Sequence, residues 1–257
     1  MGRWHYPSRR AQGAGTDSTI FNFGVPDSGK STGAQRRKVR SCSNGSSFCA
    51  LLRGKAACIT GGTTGIGRAI TLEYLPQGAN VAVNHLGLDT DETHRKSLLE
   101  EAQKLKQQGS SAVPTGDIIE LAGDVTDPET GQKLVSEAVR QWGALDVFVA
   151  ISGIFRAAEF LMLSKQQFDR TMEVNVNGTF YSCQAGAQQM VKQIFHVLRG
   201  TFPTSNTSGG EGGAIIGISS IKALVGGGLQ THYTPTKAAV LSMIWVQRLH
   251  ISPALLL

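Results

Sequence analysis

Cysteine is scarce and scattered. The 257 residues hold four, Cys42, Cys49, Cys58 and Cys183, with no CxxC spacing and no histidines gathered around them. That argues against a metal site or a disulfide framework and points to a reducing compartment. Long apolar runs are missing as well: nothing reaches the roughly 18 residues that a membrane span needs, so no membrane partner is expected. The fold also lacks a charge surplus of either sign. The formal charge of +6 is carried by residues 1–50, with eight Lys/Arg against two Asp, which leaves seventeen residues of each sign in the remainder. A neutral fold behind a basic leader, with no aromatic platform or recognition motif beside it, argues against nucleic acid as a partner.

With 40% hydrophobic and 17% charged residues, the chain has material for one substantial core. Residues 1–49, rich in Gly, Ser and Arg and without a sustained apolar period, read as a disordered basic leader. The leader has the composition of a transit peptide but no amphipathic stripe, so the expected location is cytoplasmic, with organelle import through 1–49 as the alternative. Residues 50–243 read as one folded domain, in which 194–211 is an atypical Gly/Ser/Thr-rich insert where a link of about two to six residues is normal. Residues 244–257 read as an aberrant, Pro-interrupted apolar tail.

From Gly54 onward, short buried strands alternate with helices, which predicts an α/β fold with a doubly wound parallel sheet. Strands are expected at Ala56–Thr60, Ala79–Asn84, within Asp117–Gly123, at Val147–Ile151 and at Ala214–Ile218. Helices are expected over Ile66–Leu75, Asp91–Gln108, from Pro128 to Trp142, over Lys165–Gln193 and after Tyr233. Asp127 serves as a side-chain cap for the third of these, with Pro128 at its first position and Gly143 stopping it.

Thr60-Gly61-Gly62-Thr63-Thr64-Gly65-Ile66-Gly67 follows a buried strand and opens a helix. In that context the glycines let the backbone turn and approach a pyrophosphate, and the helix N-terminus supplies amide donors. Gly61, Thr63, Gly65, Ile66 and Gly67 are therefore candidates for holding a dinucleotide. An acid about 20 residues further on would select the free ribose of NAD. Asn84-His85 stands there instead, so NADP is favoured over NAD, or both are used. Asp124-Val125, just beyond the third strand, is placed to meet an adenine edge. Tyr233 and Lys237, at i and i+4 where a helix starts, share one face. A free tyrosine has a pKa of about 10 and is a poor base unless positive charge stabilises its phenolate.

A second nucleotide pattern sits in the leader, where Gly24-Val-Pro-Asp-Ser-Gly29-Lys30-Ser31 satisfies the P-loop spacing. The residues that follow, Thr32–Arg40, are polar and basic with no buried face, so the context for nucleotide hydrolysis is missing.

Taken together, the glycine motif, Asp124, Asn175 in Val174-Asn175-Val176-Asn177-Gly178, the turn Gly217-Ile218-Ser219-Ser220, and Tyr233 and Lys237 thirteen and seventeen residues beyond Ser220 resemble the classical short-chain dehydrogenase/reductases, in that order, from about Leu52 to Met243. Within that family, Ile215–Lys237 and Val83-Asn84-His85 are most similar to fungal sugar dehydrogenases of the L-rhamnose 1-dehydrogenase type. The resemblance implies hydride transfer between NAD(P) and a secondary alcohol or carbonyl, in first place the anomeric hydroxyl of a sugar, and a homo-oligomer for a complete version. It implies Tyr233 as acid/base, Ser220 holding the substrate oxygen, Lys237 favouring the phenolate and binding the nicotinamide ribose, and Asn175 holding a water that links Lys237 to solvent. Ser219 is expected to face the other side of the strand.

Two departures follow. The family's Asn-Ala-Gly turn reads Ile151-Ser152-Gly153 here; Gly153 keeps the backbone freedom, but Ile151 lacks the amide, which predicts weaker cofactor affinity and poorer alignment of the strand. The family also continues into further strands, so the sheet is expected to lack its last strands and to leave the fifth as an exposed edge. The competing expectation is a catalytically inactive, truncated family member that at most binds cofactor or pairs with a relative.

Overall fold

The computed structural model describes residues 50–109, 114–198 and 213–250. The leader with its P-loop spacing, most of the 194–211 segment and the end of the 244–257 tail lie outside them. Strands β1 (Ala56–Ile59), β2 (Asn80–His85), β3 (Ile118–Ala122), β4 (Val147–Ala150) and β5 (Ala214–Gly217) pair in parallel, in the order β3-β2-β1-β4-β5. This is the α/β, Rossmann-type sheet that the alternation predicts. Among the described residues no strand lies beyond β5, where Ile216 is 38% exposed.

Helices cover both faces, as the side-chain alternation of the strands requires. Ile59, Val83 and Val149 stand in register and pack with Leu75 and Leu98 on one side. Cys58, Ala82 and Phe148 point the other way, against Leu134 and Met190. The first side carries α1 (Gly65–Tyr74) and α2 (Glu92–Gln108), and the second carries α3 (Pro128–Trp142). The start of α3 is as expected: the Asp127 carboxylate accepts from the Glu129 amide, Pro128 opens the helix, and Gly143 closes it in the left-handed region, at φ 80°.

The long helix expected over Lys165–Gln193 is divided. It consists of α4 (Lys165–Met172), one turn of π-helix over Glu173–Asn177, and α5 (Gly178–Leu198). It also runs past Gln193, because Ile194 is still buried and the next helix breaker is Gly200. A short α6 (Lys222–Val225) precedes α7 (Thr234–His250). Residues 244–250 thus continue a helix rather than begin an irregular tail; Ile244 packs on the core, and the first proline beyond it is Pro253.

Candidate active site

At the C-terminal ends of β1, β2 and β4 the sheet opens into a crevice of about 390 Å³. Its floor is the glycine loop. Gly61 and Gly65 have φ of 62° and 52°, a region that residues with a side chain rarely adopt. Gly67 admits no Cβ, which would lie 2.2 Å from the Gly61 carbonyl oxygen. Thr71 locks the loop by donating its hydroxyl toward the Gly67 and Gly62 carbonyls, at 2.9 and 3.2 Å. Thr64, in the capping position of α1, makes no side-chain cap, so the first-turn amides keep their donors for an anion. Thr63 and Ile66 complete this wall.

Asn84 lines the crevice and is buried. Its amide nitrogen donates to the carbonyls of Gly123, at 2.9 Å, and Leu121, at 3.3 Å, tying β2 to the end of β3. Beside it, Nδ1 of His85 is buried with no hydrogen-bond partner. Asp91, which sequence reasoning missed, also lines this end, its carboxylate accepting from the Leu88 amide at 3.3 Å. Val125 and Asp124 form the opposite wall. One Asp124 oxygen accepts from the Thr126 amide and the other from Arg170, both at 2.9 Å. Burial raises the Asp124 carboxyl, but the Thr126 and Arg170 bonds outweigh it and hold the group below the ordinary carboxylate range.

At the other end, Thr60 ties in the main chain of the Ile151-Ser152-Gly153 turn. Its hydroxyl accepts from the amides of Ile151 and Ser152, at 3.1 and 3.2 Å, joining the ends of β1 and β4. The π turn delivers Asn175, fully buried, against the next turn of chain. Its Oδ1 accepts from the Ile154 amide at 2.7 Å, and its Nδ2 donates to the Ile154 carbonyl at 2.9 Å and to the Thr236 hydroxyl at 3.2 Å. Thr236 donates in turn to the Tyr233 carbonyl at 2.6 Å. Asn175 therefore clamps the crevice wall to α7, and its own carbonyl accepts from Thr179 at 2.8 Å.

Lys237 is 6% exposed. Its ammonium donates to the Ile218 carbonyl at 2.9 Å and lies 5.7 Å from the centre of the Tyr233 ring. Burial pulls it below the usual lysine range. A Cβ on Gly153 would sit 3.2 Å from Asn175 Oδ1 and 3.7 Å from Lys237 Nζ, so Gly153, Asn175, Lys237 and Tyr233 form one cluster beside the crevice. Ser219 donates to the Lys237 carbonyl at 2.6 Å. Ser220 accepts from the Lys222 amide at 3.2 Å; among the described residues, no hydrogen bond joins it to Tyr233. Phe155, also missed, packs between His232 and Tyr233, with ring centres 6.2 and 5.0 Å away.

The positive-φ loop, the first-turn amides and the unpartnered His85 nitrogen fit a dinucleotide along the crevice. Gly61, Gly65 and Gly67 would take the pyrophosphate, and Asp124 and Val125 the adenine. Among the described residues, no helix is long and apolar enough to cross a membrane.

Comparison with known proteins accords with the geometry. The family model described as short chain dehydrogenase matches residues 55–253. The chain is 45% identical to an L-rhamnose-1-dehydrogenase of Scheffersomyces stipitis, over 76% of the chain and 66% of that protein. It is 40% identical to an L-rhamnose 1-dehydrogenase (NAD(P)(+)) of a Sphingomonas species, over 76% of the chain and 65% of that protein. The chain thus spans less than two thirds of the length of these curated relatives. Among solved structures, a short-chain type dehydrogenase/reductase from Mycobacterium marinum superposes with a TM-score of 0.64 at 27% identity, covering 80% of this chain and 72% of that one.

Proposed function

The chain belongs to the short-chain dehydrogenase family, and from that premise we propose that it is an NAD(P)-dependent oxidoreductase acting on a secondary alcohol or its carbonyl, with the anomeric hydroxyl of an aldose as first candidate. The observation that carries the reading is the cluster in which Asn175 holds Thr236, and with it Tyr233 and Lys237, against the Gly153 rim of the crevice. The bound nicotinamide supplies the hydride acceptor. Tyr233, as phenolate, takes the hydroxyl proton while the hydride leaves the same carbon, so an alcohol becomes a carbonyl and an anomeric hydroxyl a lactone. Lys237 would favour the phenolate and bind the nicotinamide ribose, and Ser220 would hold the substrate oxygen.

Asn175 has a clamping part in this scheme beyond the water link, since its side chain is spent on Ile154 and Thr236. For the cofactor, NADP is favoured because Asn84 stands where an NAD-selecting acid would, while Asp91 opposes a 2′-phosphate, so both forms are used. We further propose a cytoplasmic location and assembly as a homo-oligomer.

The test is turnover of the full chain with NAD+ or NADP+ on a panel of aldoses, followed by absorbance of the reduced nicotinamide. Formation of a sugar lactone supports the reading, and dinucleotide binding without product on any alcohol would sink it in favour of an inactive cofactor-binding member. That second reading draws on one observation: beside Ser220, Ile221, Leu224 and Val225 are 66–70% exposed, which leaves the substrate side of the site uncovered among the described residues.

A further inference from the structure

Arg170 has no place in the scheme above, yet it lines the crevice. It projects from the last turn of α4, 46 residues along the chain from Asp124, and divides its guanidinium between two carboxylates. One arm donates to Asp124 Oδ2 and the other to Glu173 Oε2, each at 2.9 Å. Glu173 belongs to the π turn, so the guanidinium is anchored from behind by the same segment that delivers Asn175. The other Asp124 oxygen is held by the Thr126 amide. A carboxylate fixed through both oxygens has lost its freedom to rotate, but each oxygen keeps a lone pair for a further donor. The donor available at the adenine end of a dinucleotide is the 6-amino group of the base.

We propose that Arg170 is the positioning residue for the adenine end of the crevice: it holds the Asp124 carboxylate in the orientation that accepts the adenine amino group, and it touches no reacting atom. The inference rests on reading the crevice as a dinucleotide site. It predicts an effect confined to one functional group of the ligand, which a general loss of structure would not produce.

The experiment is a set of dissociation constants for NAD+ and for its hypoxanthine analogue, measured on the full chain in wild-type, Arg170→Met, Arg170→Lys, Asp124→Ala and Asp124→Ala/Arg170→Met forms. The analogue replaces the amino donor with a carbonyl acceptor. Wild type should bind NAD+ more tightly than the analogue. Arg170→Met should weaken NAD+ by about fivefold and the analogue by less than about twofold, the scale of a half-exposed ion pair. Arg170→Lys, which keeps the charge on a different head, should recover part of the loss. In the Asp124→Ala background, which has no acceptor left to position, Arg170→Met should add nothing. Equal weakening of both dinucleotides, or no change in either, overturns the role of Arg170 while leaving the crevice assignment standing. Failure of wild type to bind either dinucleotide overturns both.

Discussion

The two ends of the crevice are made by different means. The end proposed to hold the pyrophosphate is backbone: consecutive residues of one β1-loop-α1 unit, with glycines at φ of 62° and 52° and a helix start whose amides lack a side-chain cap. The end proposed to react is built from side chains, those of Asn175, Tyr233, Thr236 and Lys237 beside Gly153, held by one buried carboxamide with three hydrogen bonds. A backbone-built site fails sterically when a single atom is added, whereas a site built from side chains fails chemically, group by group. Perturbing each end should therefore separate binding from turnover.

The largest separation is expected at Tyr233. Tyr233→Phe should reduce turnover by about two to four orders of magnitude, the usual contribution of a general acid/base, while dinucleotide binding by calorimetry persists. If turnover survives, the proton passes through another group. At the opposite end, Gly67→Ala places a Cβ 2.2 Å from the Gly61 carbonyl oxygen. Dinucleotide binding should disappear and unfolding free energy should drop by about 2–3 kcal/mol, within the range of severe backbone and packing changes; a binding isotherm like that of wild type would refute the fit. Asn175→Ala leaves the Ile154 amide and carbonyl without their partner and should cost about 2 kcal/mol in denaturant unfolding, with turnover impaired more than affinity.

Lys237→Met probes the same end in the other direction. The wild-type ammonium is buried with a carbonyl as its hydrogen-bond partner, and burial depresses its pKa in the folded chain. The unfolded chain therefore binds this proton more firmly, so the penalty is complete below the folded value and fades as pH rises toward the unfolded one. Lys237→Met should lose turnover yet gain about 1 kcal/mol of unfolding free energy at neutral pH, and so melt higher than wild type, with the gap closing toward alkaline pH. A lower melting point at neutral pH would mean that the ammonium stabilises the fold. The smallest effect is expected at the surface: Leu161, 91% exposed, should tolerate Leu161→Ser within about 0.5 kcal/mol, measurable by thermal melting.

The same contrast explains what the sequence made legible. The strand-glycine-helix context, the Asp127 cap and the alternation of Ile59, Val83 and Val149 are local patterns, so the sheet and the glycine loop at its end could be placed without coordinates. The partnership of Asp124 with Arg170 could not, because the pair is separated by 46 residues and an arginine on an exposed helix face looks like any solvated charge. Thr60 was likewise hidden. It belongs to the glycine motif, but its service is to the amides of Ile151 and Ser152, and only the pairing of β1 with β4 brings them within reach. Asn84 was legible as a position but not as a function, since the pairing of β2 with β3 determines where its amide nitrogen donates. The π turn escaped notice because helical periodicity averages over a single extra residue.

That extra residue acts as a phase shifter. An α-helix advances about 100° per residue, so one added residue without an added turn rotates everything upstream relative to everything downstream. Upstream stands Arg170, facing Asp124; downstream α5 leads away from the turn that carries Asn175 to Ile154 and Thr236. Deleting a single residue such as Val176 would let the segment close into regular helix with its backbone hydrogen bonds nearly intact, yet the two faces would point in incompatible directions. The length of this segment, more than its composition, synchronises the two ends of the crevice.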